Sequence, residues 1–163
     1  MTEEENKIEE GESQYLIFDL DEHRYGTLLL SIREIVECKK VKPVPNTIVS
    51  FLGVMNLRGQ IIGVIDLRSR FLEAEPSLDG ELLVFETEVG PIGALVDKVI
   101  SVTDISAENI EFRPNIVCSI PIEYLTGIAR VGDELITIVD LARVLQSEEL
   151  ISIDESKIET TGT

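Results

Sequence analysis

The sequence is poor in most of the groups that catalysis and metal binding require. It has one histidine, His23, and two cysteines, Cys38 and Cys118, in 163 residues. The cysteines show neither CxxC spacing nor the density of a disulfide scaffold, so they read as reduced structural thiols. There is no HExxH pair, no glycine-rich phosphate loop and no nucleophile elbow, so metal, nucleotide and serine-hydrolase chemistry lack sequence support. No cofactor is expected. Long hydrophobic runs are also missing; nothing approaches the roughly 18–20 apolar residues of a membrane span. The opening MTEEENKIEEGES is acidic and lacks the apolar core of a secretory signal, which predicts a cytoplasmic protein. Cations are scarce: 14 Lys and Arg stand against 31 Asp and Glu, a net charge of −17. Such a chain is repelled by nucleic acid and by an anionic bilayer, so neither is expected as a direct partner. Aromatics at 5% leave little for a base-stacking platform.

The acidity is concentrated at the ends. Residues 1–13 carry six Glu and one Lys, and residues 147–163 carry five acids and one Lys. These ends read as solvated polar tails, 1–13 and 151–163. Hydrophobic residues make up 44% of the chain and gather between them, enough for one domain or two very small subdomains.

What the middle does contain is a repeat. YLIFDLDEHRYGTLLLSIREIV (15–36) matches LLVFETEVGPIGALVDKVISVT (82–103), with Phe18 on Phe85, Gly26 on Gly93 and Leu28 on Leu95. GVMNLRGQIIGVIDLRSRFL (53–72) matches GIARVGDELITIVDLARVLQ (127–146), with Gly53 on Gly127 and Asp66-Leu67 on Asp140-Leu141. One two-part unit therefore occurs twice, with a short insertion in the second copy. Each copy is small to stand alone.

Within each copy the pattern is mostly β. Strands are expected at 15–20, 24–30, 53–57 and 60–67, then near 82–87, 91–96, 98–103, 127–131 and 134–139. SIREIV (31–36) suits one helical turn, KKVKPVPNT an extended connector, 67–72 a short helix and 140–150 a closing helix. Short strands with regular turn signals predict small barrels rather than a βαβ sheet: a first barrel over 14–72 and a second over 81–140. IIGVI and LITIV are apolar almost continuously, so both of their faces need cover, from the other barrel or from a partner.

Few polar residues invite a functional role. His23 lies in a turn with no nucleophile near it in sequence. Asp66 and Asp140 occupy equivalent repeat positions, yet each precedes a helical segment that its carboxylate can cap. Arg58, at the tip of the hairpin 53–67, is less easily explained. Its repeat equivalent is Gly132, and Gly59 already supplies the positive φ that a two-residue turn needs. Two readings stand: a charge guarding a sheet edge, or a cation waiting for an acidic partner.

YLIFDLDEHRYGTLLLSIREI, PNTIVSFLGVMNLRGQIIGVIDLRSRF, GPIGALVDKVISV and EYLTGIARVGDELITIVDLARVL together resemble the CheW-like family of chemotaxis coupling proteins over residues 14–147. Gly63 departs from the pattern, since family members usually carry proline there. The resemblance implies two SH3-like five-stranded β-barrels packed together, with short helices and a C-terminal helix. It also implies a non-catalytic adaptor joining transmembrane methyl-accepting chemoreceptors to the histidine kinase CheA, cytoplasmic and recruited to membrane-associated arrays. A relative carrying a receiver domain is not expected, because only a polar tail follows residue 147. The alternative function is a small-barrel peptide- or ligand-binding module of another signalling complex. Carried over position by position, the receptor-binding groove falls on Ile32, Glu34, Gly53 and Arg58, with Glu34 and Arg58 forming an ion pair and Gly53 admitting close backbone approach. Contacts to the kinase regulatory domain fall on Gly59 and Ile61. For Ile61 a place in the barrel core is an equal reading.

Overall fold

The computed structural model describes residues 11–45, 50–72, 74–75, 77–88, 90–112 and 120–145. Alternating apolar residues build β1 (Glu12–Leu20), which turns at Asp21-Glu22 into β2 (His23–Leu28). A 3-10 turn (Leu29–Ser31) leads to β3 (Glu34–Glu37), followed by β4 (Phe51–Leu57), β5 (Gln60–Asp66) and helix α1 (Leu67–Leu72). The second copy supplies β6 (Glu81–Thr87), β7 (Gly90–Val96) and β8 (Lys98–Ser106), then a 3-10 turn (Ala107–Asn109) and β9 (Ile110–Phe112). After another 3-10 turn (Ile122–Tyr124) come β10 (Leu125–Val131), β11 (Glu134–Val139) and α2 (Leu141–Leu145). The expected mainly-β class is confirmed. Two local readings change. SIREIV becomes a strand from Glu34, with alternating exposure that suits its β-branched residues. Residues 12 and 13, counted with the acidic tail, begin β1 by pairing with Ser106 and Ile105. The rest of the closing helix, 146–150, and the tails at 1–10 and 151–163 lie outside the described residues.

Each sheet is built from both copies. The five-stranded sheet runs β3-β6-β7-β5-β4, and the six-stranded sheet runs β8-β1-β2-β11-β10-β9. The joints are two parallel pairings: Gly63 with Ile92 between β5 and β7, and Thr137 with Tyr25 between β11 and β2. These are the same pairing seen from either copy. So are Glu34 with Val84 and Ser101 with Ile17. The contiguous barrels expected over 14–72 and 81–140 therefore do not correspond to the sheets. A sequence repeat reports which positions are equivalent. It does not report whether a strand pairs within its copy or with the other one, because both arrangements give equivalent residues equivalent surroundings.

The exchange explains the strands that are apolar throughout. Tyr15 and Ile17 of β1 enter a core inside the six-stranded sheet with Ile105, Ile110, Ala129, Ile136 and Ile138. Leu16, Phe18 and Leu20 face the other way, into a core between the sheets shared with Ile65, Leu83, Phe85 and Val139. Ile62 and Val64 of β5 fill a third core inside the five-stranded sheet, with Met55, Leu82, Val84 and Leu95. Each sheet is thus covered on both faces by apolar side chains, each worth about 1.5–3 kcal/mol when fully buried.

The two sheets also close in the same way. After pairing with β6, the chain beyond β3 crosses to the opposite edge, where Lys42 and Val54 exchange backbone hydrogen bonds of 2.8 and 2.9 Å. In the other sheet β8 pairs with β1 and β9 then pairs with β10, Glu111 facing Ile128. Val54 and Ile128 are repeat equivalents, so β3 through Lys42 and β8 through β9 are one crossing path used twice.

Two caps differ in burial. Asp140 Oδ1 accepts the Arg143 N–H at 3.0 Å, and Asp66 Oδ1 accepts the Arg68 N–H at 3.0 Å, as expected of capping carboxylates. Asp66 is fully buried and also takes the Ser77 N–H at 3.0 Å and the Arg68 Nε at 3.1 Å. Arg68 reaches on to Asp97, whose other oxygen accepts the Asp21 N–H of the β1–β2 turn at 2.5 Å. This chain of bonds clasps one sheet to the other. Arg68→Ala strands a buried carboxylate, so urea unfolding should show a loss of about 3–5 kcal/mol, whereas Arg143→Ala should cost under about 1 kcal/mol. The Tyr15 hydroxyl is buried and has no partner among the described residues, and burial pushes its pKa up to about 12. The unfolded tyrosine ionises near pH 10, so this stability is present below that pH and is lost as pH rises toward about 12. Tyr15→Phe should be neutral or stabilising at pH 7 and should remove that alkaline loss, readable from melts across the range.

Candidate functional site

The β4–β5 hairpin has a two-residue turn, Leu57 pairing with Gln60 around Arg58 and Gly59. Both central residues have positive φ, +50° at Arg58 and +87° at Gly59, the pattern of a type I′ turn. The reading that Gly59 alone meets the turn's needs is therefore corrected: Arg58 also sits in the left-handed region. An arginine there costs about 1 kcal/mol against glycine or asparagine. At the equivalent turn in β10–β11 only Gly132 is left-handed. The Asn56 side chain steadies the tip, its Oδ1 accepting the Gly59 N–H at 2.8 Å.

From this strained position Arg58 reaches β3. Its Nη2 donates to both oxygens of Glu34, at 2.5 and 2.6 Å. The arginine side chain is 63% exposed and the glutamate 25%, so the pair is worth at most about 1 kcal/mol and roughly balances the strain of the turn. Neighbouring Arg33 works in parallel, donating to Gln60 at 3.1 Å and to Glu86 at 2.6 Å. Arg33 was missed by sequence reasoning, since nothing in its local pattern shows that residues 27 and 53 positions away converge on it. Together the two ion pairs fix the hairpin tip against β3 and β6 and leave the guanidinium of Arg58 facing solvent.

The remaining predicted site residues fall into different environments. Ile32 follows the 3-10 turn, half-buried against the core between the sheets. Gly53 is buried in β4 at φ +140°, and a Cβ there would stand 2.1 Å from the Lys42 carbonyl oxygen. The close backbone approach that it permits is thus internal, to the crossing path, just as a Cβ on Gly127 would stand 2.6 Å from the Glu111 carbonyl oxygen. Gly59 is exposed, with open space where a Cβ would be. Ile61 is 48% exposed, and its repeat equivalent Leu135 is 64% exposed, so the core reading for Ile61 is set aside. Glu34, Arg58, Gly59 and Ile61 thus gather at one hairpin tip, with Ile32 and Gly53 in the structure behind it.

Away from the tip, His23 is exposed at the start of β2. Cys38 is half-buried, and burial raises its thiol pKa, which keeps it protonated; Cys118 lies outside the described residues. Among the described residues the geometry offers rigid surface rather than a converging set of acid, base and nucleophile. Urea unfolding should separate the roles: Arg58→Asn leaves stability unchanged or raises it by up to about 1 kcal/mol, because asparagine suits the turn. Gly53→Ala loses about 3 kcal/mol or more through the clash with Lys42.

Comparison with known proteins agrees with this architecture. The model of the CheW-like domain matches residues 14–149. The chain is 35% identical over 143 residues to a chemotaxis protein CheW of Klebsiella aerogenes, covering 86% of each. It is 28% identical over 149 residues to that of Treponema pallidum, covering 88% of each. Among solved structures it resembles the scaffolding protein TtCheW from Thermoanaerobacter tengcongensis, with a TM-score of 0.74 and 30% identity over 84% of this chain and 90% of that one.

Proposed function

The chain belongs to the CheW-like domain family, and we propose that this chemotaxis adaptor works without catalysis, coupling the cytoplasmic tips of methyl-accepting chemoreceptors to the regulatory domain of the histidine kinase CheA. The observation that carries the receptor site is the strained, exposed tip. Arg58 holds a left-handed conformation better suited to asparagine or glycine, and its ion pair with Glu34 returns no more than the turn costs. Stability alone does not account for it. Recognition does: Glu34 orients a guanidinium that stays open to solvent, where it can meet an acidic or amide group of the receptor tip. Ile32 supplies apolar surface beside it, and Gly53 holds β4 against the crossing path that supports the tip. In this reading Gly59 and Ile61 face the kinase, and the exposure of Ile61 supports that role. Receptor and kinase then meet on two sides of one hairpin, which lets a shift in one contact bear directly on the other. The protein acts in the cytoplasm and is held at the membrane only through the receptors.

Pull-downs with a soluble receptor signalling fragment and with the kinase regulatory domain test this. Wild type should retain both. Arg58→Ala should lose receptor fragment several-fold and keep the kinase domain, and Ile61→Lys should do the reverse. Retention of neither partner by wild type defeats the adaptor reading, and unchanged receptor binding by Arg58→Ala defeats the site.

A further inference from the structure

The crossing path of the five-stranded sheet carries three lysines in four residues, Lys39, Lys40 and Lys42, in a chain of net charge −17. All three are exposed and, like Lys98 and Arg130, form no ion pair among the described residues, whereas Arg24, Arg33, Arg58, Arg68 and Arg143 do. The path is pinned to the β4–β5 hairpin at two points, Glu34 to Arg58 and Lys42 to Val54. Lys39 and Lys40 lie between those pins, beyond the exposed Glu37 that ends β3.

The second copy supplies a control. Its crossing path has the same exposure pattern, with Glu108, Asn109, buried Ile110 and Glu111 standing where the first has Lys39, Lys40, half-buried Val41 and Lys42. Glu111 pairs with Ile128 just as Lys42 pairs with Val54. Closing the sheet therefore needs no cation. Guarding an edge does not need one either, since acids do it in the other sheet. Three unpaired lysines in a strongly acidic protein form a local exception to its field.

We infer that Lys39, Lys40 and Lys42 dock a short acidic segment of a protein partner, extending the Arg58 surface into a basic strip. The inference rests on the proposed receptor site and assigns the strip to the receptor side of the hairpin. A protein segment fits better than a polyanion. A few carboxylates within a Debye length feel the lysines, whereas nucleic acid or an anionic bilayer meets the whole negative field. Each exposed pair contributes at most about fivefold in affinity, so the strip adds roughly tenfold at low salt and little at high salt.

The test uses the full chain with Lys39→Gln, Lys40→Gln and Lys42→Gln combined, beside Arg58→Ala, titrated with the receptor signalling fragment. In about 50 mM salt the triple variant should bind about tenfold more weakly, and the gap should close near about 500 mM. Kinase-domain affinity and melting temperature should not move. Zero-length carbodiimide coupling of wild type should join these lysines to receptor carboxylates. If the triple variant binds receptor like wild type while Arg58→Ala is impaired, the strip is wrong and the groove stands. If neither is impaired, the receptor site itself is wrong. A triple variant that loses only kinase binding, self-association or capture by anionic vesicles overturns the assignment to the receptor.

Discussion

The two parallel pairings, β5 with β7 and β2 with β11, are the constraint on which the rest depends. Each copy of the repeat opens with a hairpin whose free edge is completed by the last strand of the other copy. Neither half can satisfy its own backbone, and an unpaired ladder edge is costly once its face is buried. The result is one interlocked unit with three apolar cores, in which the core between the sheets is fed by strands from both. An adaptor benefits from this. What an adaptor transmits is position, and interlocked sheets resist the slippage that a linker between two independent barrels would allow.

The same exchange sets where the site can be. Because the second edge of each sheet is closed by a crossing path, the hairpin beside that path is held on one side by backbone bonds and on its tip by side chains. In the five-stranded sheet those are Lys42 with Val54 and Glu34 with Arg58. Gly53 lies at the crossing, where any side chain would strike the Lys42 carbonyl. Its substitution would therefore shift the support of Arg58. In the proposed receptor site Gly53 is thus a positioning residue rather than a contact.

Much of this was legible in the residues. The repeat, most of the strands, the two capping aspartates and the need to cover IIGVI and LITIV on both faces all follow from period and turn chemistry. The resemblance placed Glu34 against Arg58. Three things were hidden for physical reasons. Strand exchange leaves no mark on a repeat, since swapped and unswapped copies share one pattern of burial. Glu34–Glu37 is too short for alternation to outweigh a helical spacing of three, and its partner β6 lies 47 residues or so away in pairing. Ile61 looks like core by composition, and only its place at the hairpin tip, ahead of the buried run that starts at Ile62, exposes it.

Two copies of one fold also show which residues the fold does not determine. Positions that pack are matched between the copies: Ile62 with Ile136, Phe18 with Phe85, Gly53 with Gly127. Exposed positions on equivalent scaffolds diverge: Arg58 against Gly132, Glu34 against Ser101, Lys39 and Lys42 against Glu108 and Glu111. Because the backbone pairing is the same in both places, closing the sheet does not require these differences. At one hairpin and its crossing path they place Arg58 and the three lysines, where the counterpart has Gly132, Glu108, Asn109 and Glu111. The proposed coupling of two unlike partners needs such a difference, since identical surfaces on a pseudo-symmetric protein would offer each partner two places to bind.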